Sequence, residues 1–536
     1  MKIKMKKQIK QLALFFCTLI LLGNISFASA DTASDTDTLL NWAESNYPTY
    51  FPTHQTTQSI TPWLFRFYPD TNVYAGVNTN NNGVYVFGGP WGNVNPTYID
   101  SLSNLLTTTN SGKLTDIISI VIGNNGLTGR AFALKADGTV WGWGDNHFGE
   151  LGDGTKVDQL APVQVVGLTG VTSVVSEAST TIVLKNDGTV WGWGSNAGGN
   201  LGDGTYIRHS TPAQINGLTD VTSIGKTNLA SGLNHNGFHA IEQNGTLWVW
   251  GCQANDILDH TNYYTCPDSP HLPTQISEFP EVIDFKSRAV GVGGTSNSYF
   301  VLKRDGTVWA WGNNFFGQLG DGTNSNTFLG GVGENRDIPI PVIGLTGVKD
   351  IEIAETLAGM IVFALKEDGT VWAWGDNSGR QLGTGMTTAT VDSPTQVSGL
   401  SDITKIAVET FQRLALKNDG TVWVWGDNNI NGAIGVEGIL PSIKTQTPSQ
   451  LVGLTNIIDI KTSFYLSYAL KEDGTVWAWG TGKFKDGTPA QNFTPTQMCS
   501  LSGITDIAIS HMNSLPYLLK NDGTVWKGYF DVCVQQ

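Results

Sequence analysis

Short runs of branched apolar residues recur along this chain at near-regular intervals, as in Ile117-Ile118-Ser119-Ile120-Val121, Val171-Thr172-Ser173-Val174-Val175 and Ile457-Ile458-Asp459-Ile460. Each is followed by two further apolar segments, Phe132-Ala133-Leu134-Lys135 and Thr139-Val140-Trp141-Gly142-Trp143 in the first copy, joined through Ala136-Asp137-Gly138. Short apolar runs bounded by turn residues predict β-strands. Asp-Gly between two of them predicts a hairpin, here with the positive φ angles of a type I′ turn. A glycine-rich loop such as Gly149 to Thr155 comes next, and then a strand led by proline: Pro162-Val163-Gln164-Val165, Pro212-Ala213-Gln214-Ile215, Pro394-Thr395-Gln396-Val397. Proline cannot donate to a ladder, so these strands are expected at the outer edge of each sheet. Four strands per unit, taken from the inside outwards, make the blade of a β-propeller.

The phrase that closes the hairpin is the most regular part of the unit. Asp137-Gly138-Thr139-Val140-Trp141 returns at Asp187 to Trp191, Asp305 to Trp309, Asp368 to Trp372, Asp419 to Trp423, Asp473 to Trp477 and Asp522 to Trp526, with a variant at Asn244 to Trp248. A second Trp follows two residues later in seven of these eight copies, so the unit holds fifteen of the eighteen Trp residues. Residues two apart on a strand share a face, and Gly, Ala or Val lies between the two Trp. Bulky residues repeated at fixed phase point to packing between adjacent blades rather than to ligand stacking.

The unit W-G-x-N-x-x-G-Q-L-G-x-G, followed by P-x-x-V, a branched strand and A-L-x-x-D-G, resembles the repeat of the regulator of chromosome condensation (RCC1) family. Trp311 to Gly322 is the copy nearest that pattern, and the resemblance covers about residues 111 to 536. It implies an all-β, circular propeller, with seven blades as the family norm. The strand count favours eight: there are eight inner strands and eight hairpins but seven proline-led outer strands. The last blade is therefore expected to lack its outer strand or to borrow one. Relatives of the fold include a nuclear guanine-nucleotide exchange factor and a secreted inhibitor of β-lactamases, so the resemblance alone implies no single activity.

Two segments precede the propeller. Residues 1–30 read as a signal peptide, with five Lys, an apolar run from Leu12 to Leu22 and Ala28-Ser29-Ala30 as the cleavage site, which implies a periplasmic or extracellular protein. Residues 31–110 read as a small β-rich module, with strands around Trp63 to Pro69, Val73 to Val77 and Val84 to Gly88. Without the first thirty residues, 26 basic residues remain against 46 acidic ones. Such a surface repels phosphate backbones and argues against nucleic acid as a partner. No later stretch is apolar enough to span a bilayer. Four cysteines remain in the exported chain, and the pairs Cys252 with Cys266 and Cys499 with Cys533 are the favoured disulfides of three possible connectivities.

Catalytic constellations are sparse. No nucleophile elbow, phosphate loop or zinc-type His pair occurs, and the Gly-Asp-Gly-Thr copies lack the carboxylate run of a calcium loop, so catalytic, cofactor and metal residues are expected to be none. Variation is concentrated where the unit is interrupted, at Cys252 to His271 and Asn324 to Asp337. The aromatic residues of these and the matching loops, Tyr263 and Tyr264, His147 and Phe148, Phe315 and Phe316, are the candidate contact residues. The leading expectation is a non-enzymatic, monomeric scaffold that binds a protein or glycan through loops on one face. A hydrolase or lyase using Glu177, Glu355 and Glu409 at the central opening is the enzymatic alternative, and an adhesive surface protein is a third. Nucleotide exchange, which the family label alone suggests, conflicts with an export signal.

Overall fold

The computed structural model divides into two units, residues 1–100 and 101–536. It describes the backbone of strands 64–68, 73–78, 83–88 and 97–98 in the first unit. In the second it describes residues 116–535 apart from 125–128, 178, 228–236, 252–271, 291–295, 325–334, 357–358, 428–443, 464–465, 484–488, 499–500, 510–515 and 529–532. The first unit holds one antiparallel four-stranded meander, Leu64–Tyr68, Val73–Asn78, Gly83–Gly88 and Thr97–Tyr98.

The second unit is a propeller of eight four-stranded antiparallel sheets, each made of strands consecutive in the chain. Blade 1 spans residues 117–164, blade 2 171–214, blade 3 221–276, blade 4 282–341, blade 5 348–396, blade 6 403–450, blade 7 457–497 and blade 8 504–535. Strands a to d of a blade run outward from the axis, since the first strands of consecutive blades pack side by side. Antiparallel order then puts the a–b and c–d connections of every blade on one face, and the Asp-Gly hairpins and the links to the next blade on the other.

The hairpins form where the sequence places them, but their turn differs from the expected type I′. Lys135 O accepts the amide of Gly138 and Lys135 N donates to Thr139 O, leaving three residues in the loop. Gly138 has a positive φ, whereas Ala136 and Asp137 are absent from the residues with positive φ. This is a type I turn closed by a left-handed glycine, the solution a three-residue loop favours. The Asp carboxylate replaces a missing backbone partner: Asp137 Oδ1 accepts both the amide and the hydroxyl of Thr139. The same pair holds Asp187 down to about 2, with the Thr189 hydroxyl as the largest cause.

The two Trp of each repeat do different work. The first is half-buried and in blades 1, 2, 5 and 7 donates its Nε1 to the Thr two residues earlier, as Trp372 does to Thr370 at 3.1 Å, while Trp248 and Trp423 lack that bond. The second is buried against the preceding blade, and in blades 2, 3 and 5 it donates to a carbonyl of that blade's c–d loop: Trp193 to Glu150 at 2.6 Å, Trp250 to Asn200 at 3.0 Å, Trp374 to Gln318 at 2.8 Å, whereas the buried Nε1 of Trp143, Trp425 and Trp479 makes no such bond. Packing between blades is therefore what the repeated Trp supplies.

The ring closes through the same contacts that join any two blades. Leu519 and Val525 of blade 8 share a buried cluster with Ile117, Ile120, Ala131, Ala133 and Trp143 of blade 1. The residue before each strand a is left-handed in all eight blades, whether glycine (Gly170, Gly347, Gly503) or not (Asp116, Asp220, Glu281, Asp402, Asn456). Each of these abuts the hairpin glycine of the blade before it, and Gly523 of blade 8 meets Asp116 of blade 1. Blade 8 is also complete, contrary to the expectation of a missing outer strand: Cys533–Gln535 pairs with Val525–Gly528. The backbone needs no proline to form that edge, which is why the sequence pattern passed over it.

Gly523 gives a test of closure. Its φ is +75°, and a Cβ there would lie 2.7 Å from the amide nitrogen of Asp116. Gly217, with φ +90°, has open space around its Cβ position. Alanine at either site costs about 1–3 kcal/mol of backbone strain, and at Gly523 the blade contact adds about 1 kcal/mol or more. Urea midpoints of the two variants will show the larger loss for Gly523→Ala; equal losses would mean that this contact contributes nothing to closure.

Candidate functional site: the loop face and the axial strands

The c–d loops of blades 1, 2, 4 and 5 are built on one buried asparagine each. Asn146 Oδ1 accepts the amide of Leu151 at 2.8 Å, while its Nδ2 donates to Asp153 Oδ1 at 3.1 Å and Val157 O at 3.0 Å. Asn196 and Asn314 repeat this with Leu201 and Asp203, and with Leu319 and Asp321. The Asp of each Gly-Asp-Gly-Thr also accepts the following Thr amide, as Asp153 does from Thr155 at 2.9 Å. Those carboxylates are thus consumed in shaping turns. The loops also bind neighbouring blades together, since Gly154 N donates to Ser210 O and Gly322 N to Asp392 O, both at 2.9 Å.

On this frame the expected contact residues separate into two groups. His147 and Phe148 stand at the surface of blade 1, His147 with 65% of its side chain exposed. His147 Nδ1 contacts Asp145 Oδ1 and lies 3.3 Å from Asp158 Oδ1, and the hydrogen bond to Asp145 raises its pKa against the opposing effect of burial. The guanidinium of Arg208, from blade 2, stacks 4.8 Å over the Phe148 ring. Val157, Tyr206, Ile207 and Leu272 are exposed on the same loops, and Leu272 of blade 3 touches the position of Gly204. Phe315 and Phe316 instead pack edge to face on each other at 4.8 Å, and Phe316 lies on the core cluster of blades 4 to 6 and against Gly359. Tyr263, Tyr264, Cys252, Cys266 and Cys499 lie outside the described residues, and of Cys533 only the backbone is described.

The three glutamates expected to converge are each engaged locally. Glu177 pairs with Lys226 at 2.5 Å and Glu355 with Arg288 at 3.2 Å, both across neighbouring inner strands. Glu409 is buried and its Oε2 accepts the Thr410 amide. His239 sits in the core on edge to Phe285 at 5.0 Å, where burial pushes it down to about 3. The register aligns His239 with Phe132, Ile182, Phe300 and Phe363, opposite the small residue between the two Trp. Arg130, Ser298, Ile361 and Gln412 oppose the glycine after the second Trp and so lie two residues earlier on strand b.

Sequence reasoning passed over a belt of charge on strands a of blades 4 to 7. Asp284 and Lys286, Asp350 and Glu352, Lys405, then Asp459 and Lys461 occupy equivalent alternating positions. Lys286 lies 3.3 Å from Asp284, Lys461 3.7 Å from Asp459, and Lys405 pairs with Asp459 across the blade boundary. Burial pushes Glu352 up to about 7, helped by Asp350 and Asp284 and opposed by Lys286 and Lys405. Asp350 is raised as well, again chiefly by burial. Burial would lower Lys286, but Asp284, Glu352 and Asp350 outweigh it and raise its pKa. The visible signal was the alternation of acid and lysine within otherwise apolar strands.

Comparison with known proteins agrees with this architecture. Models described as "Regulator of chromosome condensation (RCC1) repeat" match residues 137–184, 187–236, 305–356 and 368–408, and a second model of that description matches 117–150 and 289–318. The E3 ubiquitin-protein ligase HERC2 of Mus musculus is 25% identical over 375 residues, which are 68% of this chain and 7% of that protein. The mitochondrial RCC1 domain-containing protein RUG3 of Arabidopsis thaliana is 29% identical over 255 residues, 47% of this chain and 53% of its own. The chain thus spans a small part of the first relative and about half of the second. Among solved structures, Prp20p of Saccharomyces cerevisiae covers 67% of this chain and 85% of its own at 21% identity, with a TM-score of 0.46. Residues 117–184, 187–236, 289–356 and 368–408 of this chain thus match RCC1 repeats, in register with the blades and hairpins of the propeller.

Proposed function

We propose that the protein is an exported, non-enzymatic scaffold that binds a protein or glycan through the loop face of blades 1 to 3. The observation that carries this reading is the run of exposed apolar side chains there. Phe148, Val157, Tyr206, Ile207 and Leu272 are held on hydrogen-bonded loops, with Arg208 over Phe148. Aromatic and arginine side chains on a rigid frame are the usual anchors of recognition. The net charge of −15 disfavours nucleic acid, and among the described residues no helix is long and apolar enough to cross a membrane. The ion pairing of Glu177 and Glu355 favours a structural role for those acids over catalysis. Export rests on the basic and apolar N-terminal segment, and the protein is proposed to act as a monomer.

A pulldown from envelope and culture-medium fractions, with the purified protein as bait, tests this. The double variant Phe148→Ala, Ile207→Ser is expected to reduce recovery of the partner at least tenfold while leaving the tryptophan near-ultraviolet signal unchanged. Recovery of no protein or glycan, or equal recovery by the variant, would sink the reading.

A further inference from the structure

Blade 1 departs from its sister blades at one buried contact of the c–d loop. In blade 4, Gln318 Oε1 accepts the amide of Phe316 at 2.8 Å and its Nε2 donates to Asn313 Oδ1 at 2.6 Å. In blade 5, Gln381 Nε2 donates in the same direction, to Asp376 Oδ2 at 3.0 Å. A side chain at this position therefore reaches the residue that follows the Trp-Gly of strand c. Blade 1 has Glu150 in place of the Gln and Asp145 in place of its partner. Glu150 Oε2 accepts the amide of Phe148 at 2.7 Å, as Gln318 Oε1 does that of Phe316. By equivalence with Gln318, its Oε1 takes the place of the amide nitrogen that the other blades turn to the residue after Trp-Gly; this atom is buried with no hydrogen-bond partner, and the charge of Asp145 acts on Glu150. Two carboxylates face each other where the other blades place a donor against an acceptor.

The same blade assembles further donors around Asp145. His147 Nδ1 touches Asp145 Oδ1 and lies 3.3 Å from Asp158 Oδ1, and one donor atom from each of the three lies within 4.8 Å of the others. Donors bound to one ion at about 2.1 Å lie about 3.0–3.4 Å from one another, so the His147 to Asp158 separation already suits coordination. Asp158 comes from the far end of the loop and is itself oriented by the amide of Asn146 at 2.9 Å. The nearby Arg130 supplies one positive charge shared by Glu150, Asp145 and Glu177, and its Nε donates to Ser176 rather than to any of them. Half-exposed His147 and Asp158 leave a path from solvent to the buried Asp145.

We propose that Asp145, His147 and Asp158 bind one divalent transition-metal ion, with Glu150 Oε1 facing the site from the core. One imidazole nitrogen with carboxylate oxygens, at a position open to water, is a donor set for zinc more than for calcium or magnesium, which prefer oxygen alone. The ion joins the two ends of the loop that carries Phe148 and that supplies the Glu150 carbonyl to Trp193. It thereby fixes both the surface of blade 1 and its seam with blade 2. Blades 2, 4 and 5 have Ala197, Phe315 and Ser378 at the position of His147, so the site belongs to blade 1 alone among these.

The test uses the whole purified protein, stripped with chelator and titrated calorimetrically with Zn²⁺, Mn²⁺, Ca²⁺ and Mg²⁺. One equivalent of Zn²⁺ is expected to bind at least tenfold more tightly than Ca²⁺ or Mg²⁺ and to raise the thermal midpoint by several degrees. His147→Ala and Asp158→Asn are each expected to weaken Zn²⁺ at least tenfold, whereas His209→Ala on blade 2 leaves it unchanged. X-ray absorption at the zinc edge of the loaded wild-type protein, which depends on no variant, is expected to show an oxygen-rich shell with a single imidazole. Absence of a one-equivalent Zn²⁺ site overturns the proposal. So does binding that survives both substitutions, an equal loss in His209→Ala, or a sulfur-containing shell that places the ion on cysteine.

Discussion

Replacing Trp374 with alanine will lower the stability of the propeller by about 3–5 kcal/mol, the range for a fully buried Trp. The ring is 0% exposed, its Nε1 donates to Gln318 O at 2.8 Å, and it belongs to the buried cluster that runs through blades 4, 5 and 6. Truncation therefore removes apolar contact on two blades and leaves a buried carbonyl without its donor. Trp372, two residues earlier on the same face, is only half-buried, and its Nε1 bonds within its own hairpin, to Thr370. Trp372→Ala should cost about 1–2 kcal/mol, in proportion to the smaller area it buries. Guanidinium unfolding of the two variants separates them: losses of similar size would mean that the second Trp does not hold adjacent blades together.

Most of the architecture was legible because it is repeated. Branched runs, Asp-Gly and paired Trp mark strands a, b and c in six of the eight units, the third having Asn-Gly and the eighth a single Trp, and each copy reinforces the reading of the others. What escaped was what the backbone does without a side-chain signature. The left-handed residue before each strand a is Gly in three blades and Asp, Glu or Asn in five, so no single residue type announces it. Cys533–Gln535 completes blade 8 by main-chain pairing and carries no proline to mark it. The turn type followed loop length rather than the Asp-Gly pair, since Lys135 pairs with Thr139 and so leaves three residues between.

The candidate site was less legible because it depends on neighbours distant in the chain. Phe148 and Phe316 hold the same place in their loops, yet Arg208 meets the first at the surface and Gly359 receives the second against the core. Glu355 looks available in sequence and is paired with Arg288, 67 residues away. Glu352, by contrast, reads as one polar position in an apolar strand. Its environment comes from Lys286 on blade 4 and Lys405 on blade 6. Blade-to-blade contacts of this kind have no fixed spacing along the sequence.

Glu352 accordingly predicts an unusual pH dependence of stability. Its folded pKa, about 7, stands above the 4.5 of an ordinary glutamate because burial penalises the charged form. Between those values the folded chain retains a proton that the unfolded chain has released, so stability falls as pH rises through that window. The loss is complete above pH 7 and amounts to about 3 kcal/mol at 1.36 kcal/mol per pKa unit. Carboxylates held low, such as Asp187 at about 2, act in the opposite sense, losing their contribution only as pH falls towards that value. The two effects therefore occupy different ranges. Glu352→Gln keeps the shape and removes the charge, so the variant should match the wild type near pH 4.5 and exceed it by about 3 kcal/mol at pH 8. Urea midpoints at both pH values measure the difference. A gap that does not change with pH would show that Lys286 and Lys405 keep Glu352 ionised in the folded propeller, and that the axial belt is a balanced ion network rather than a strained one.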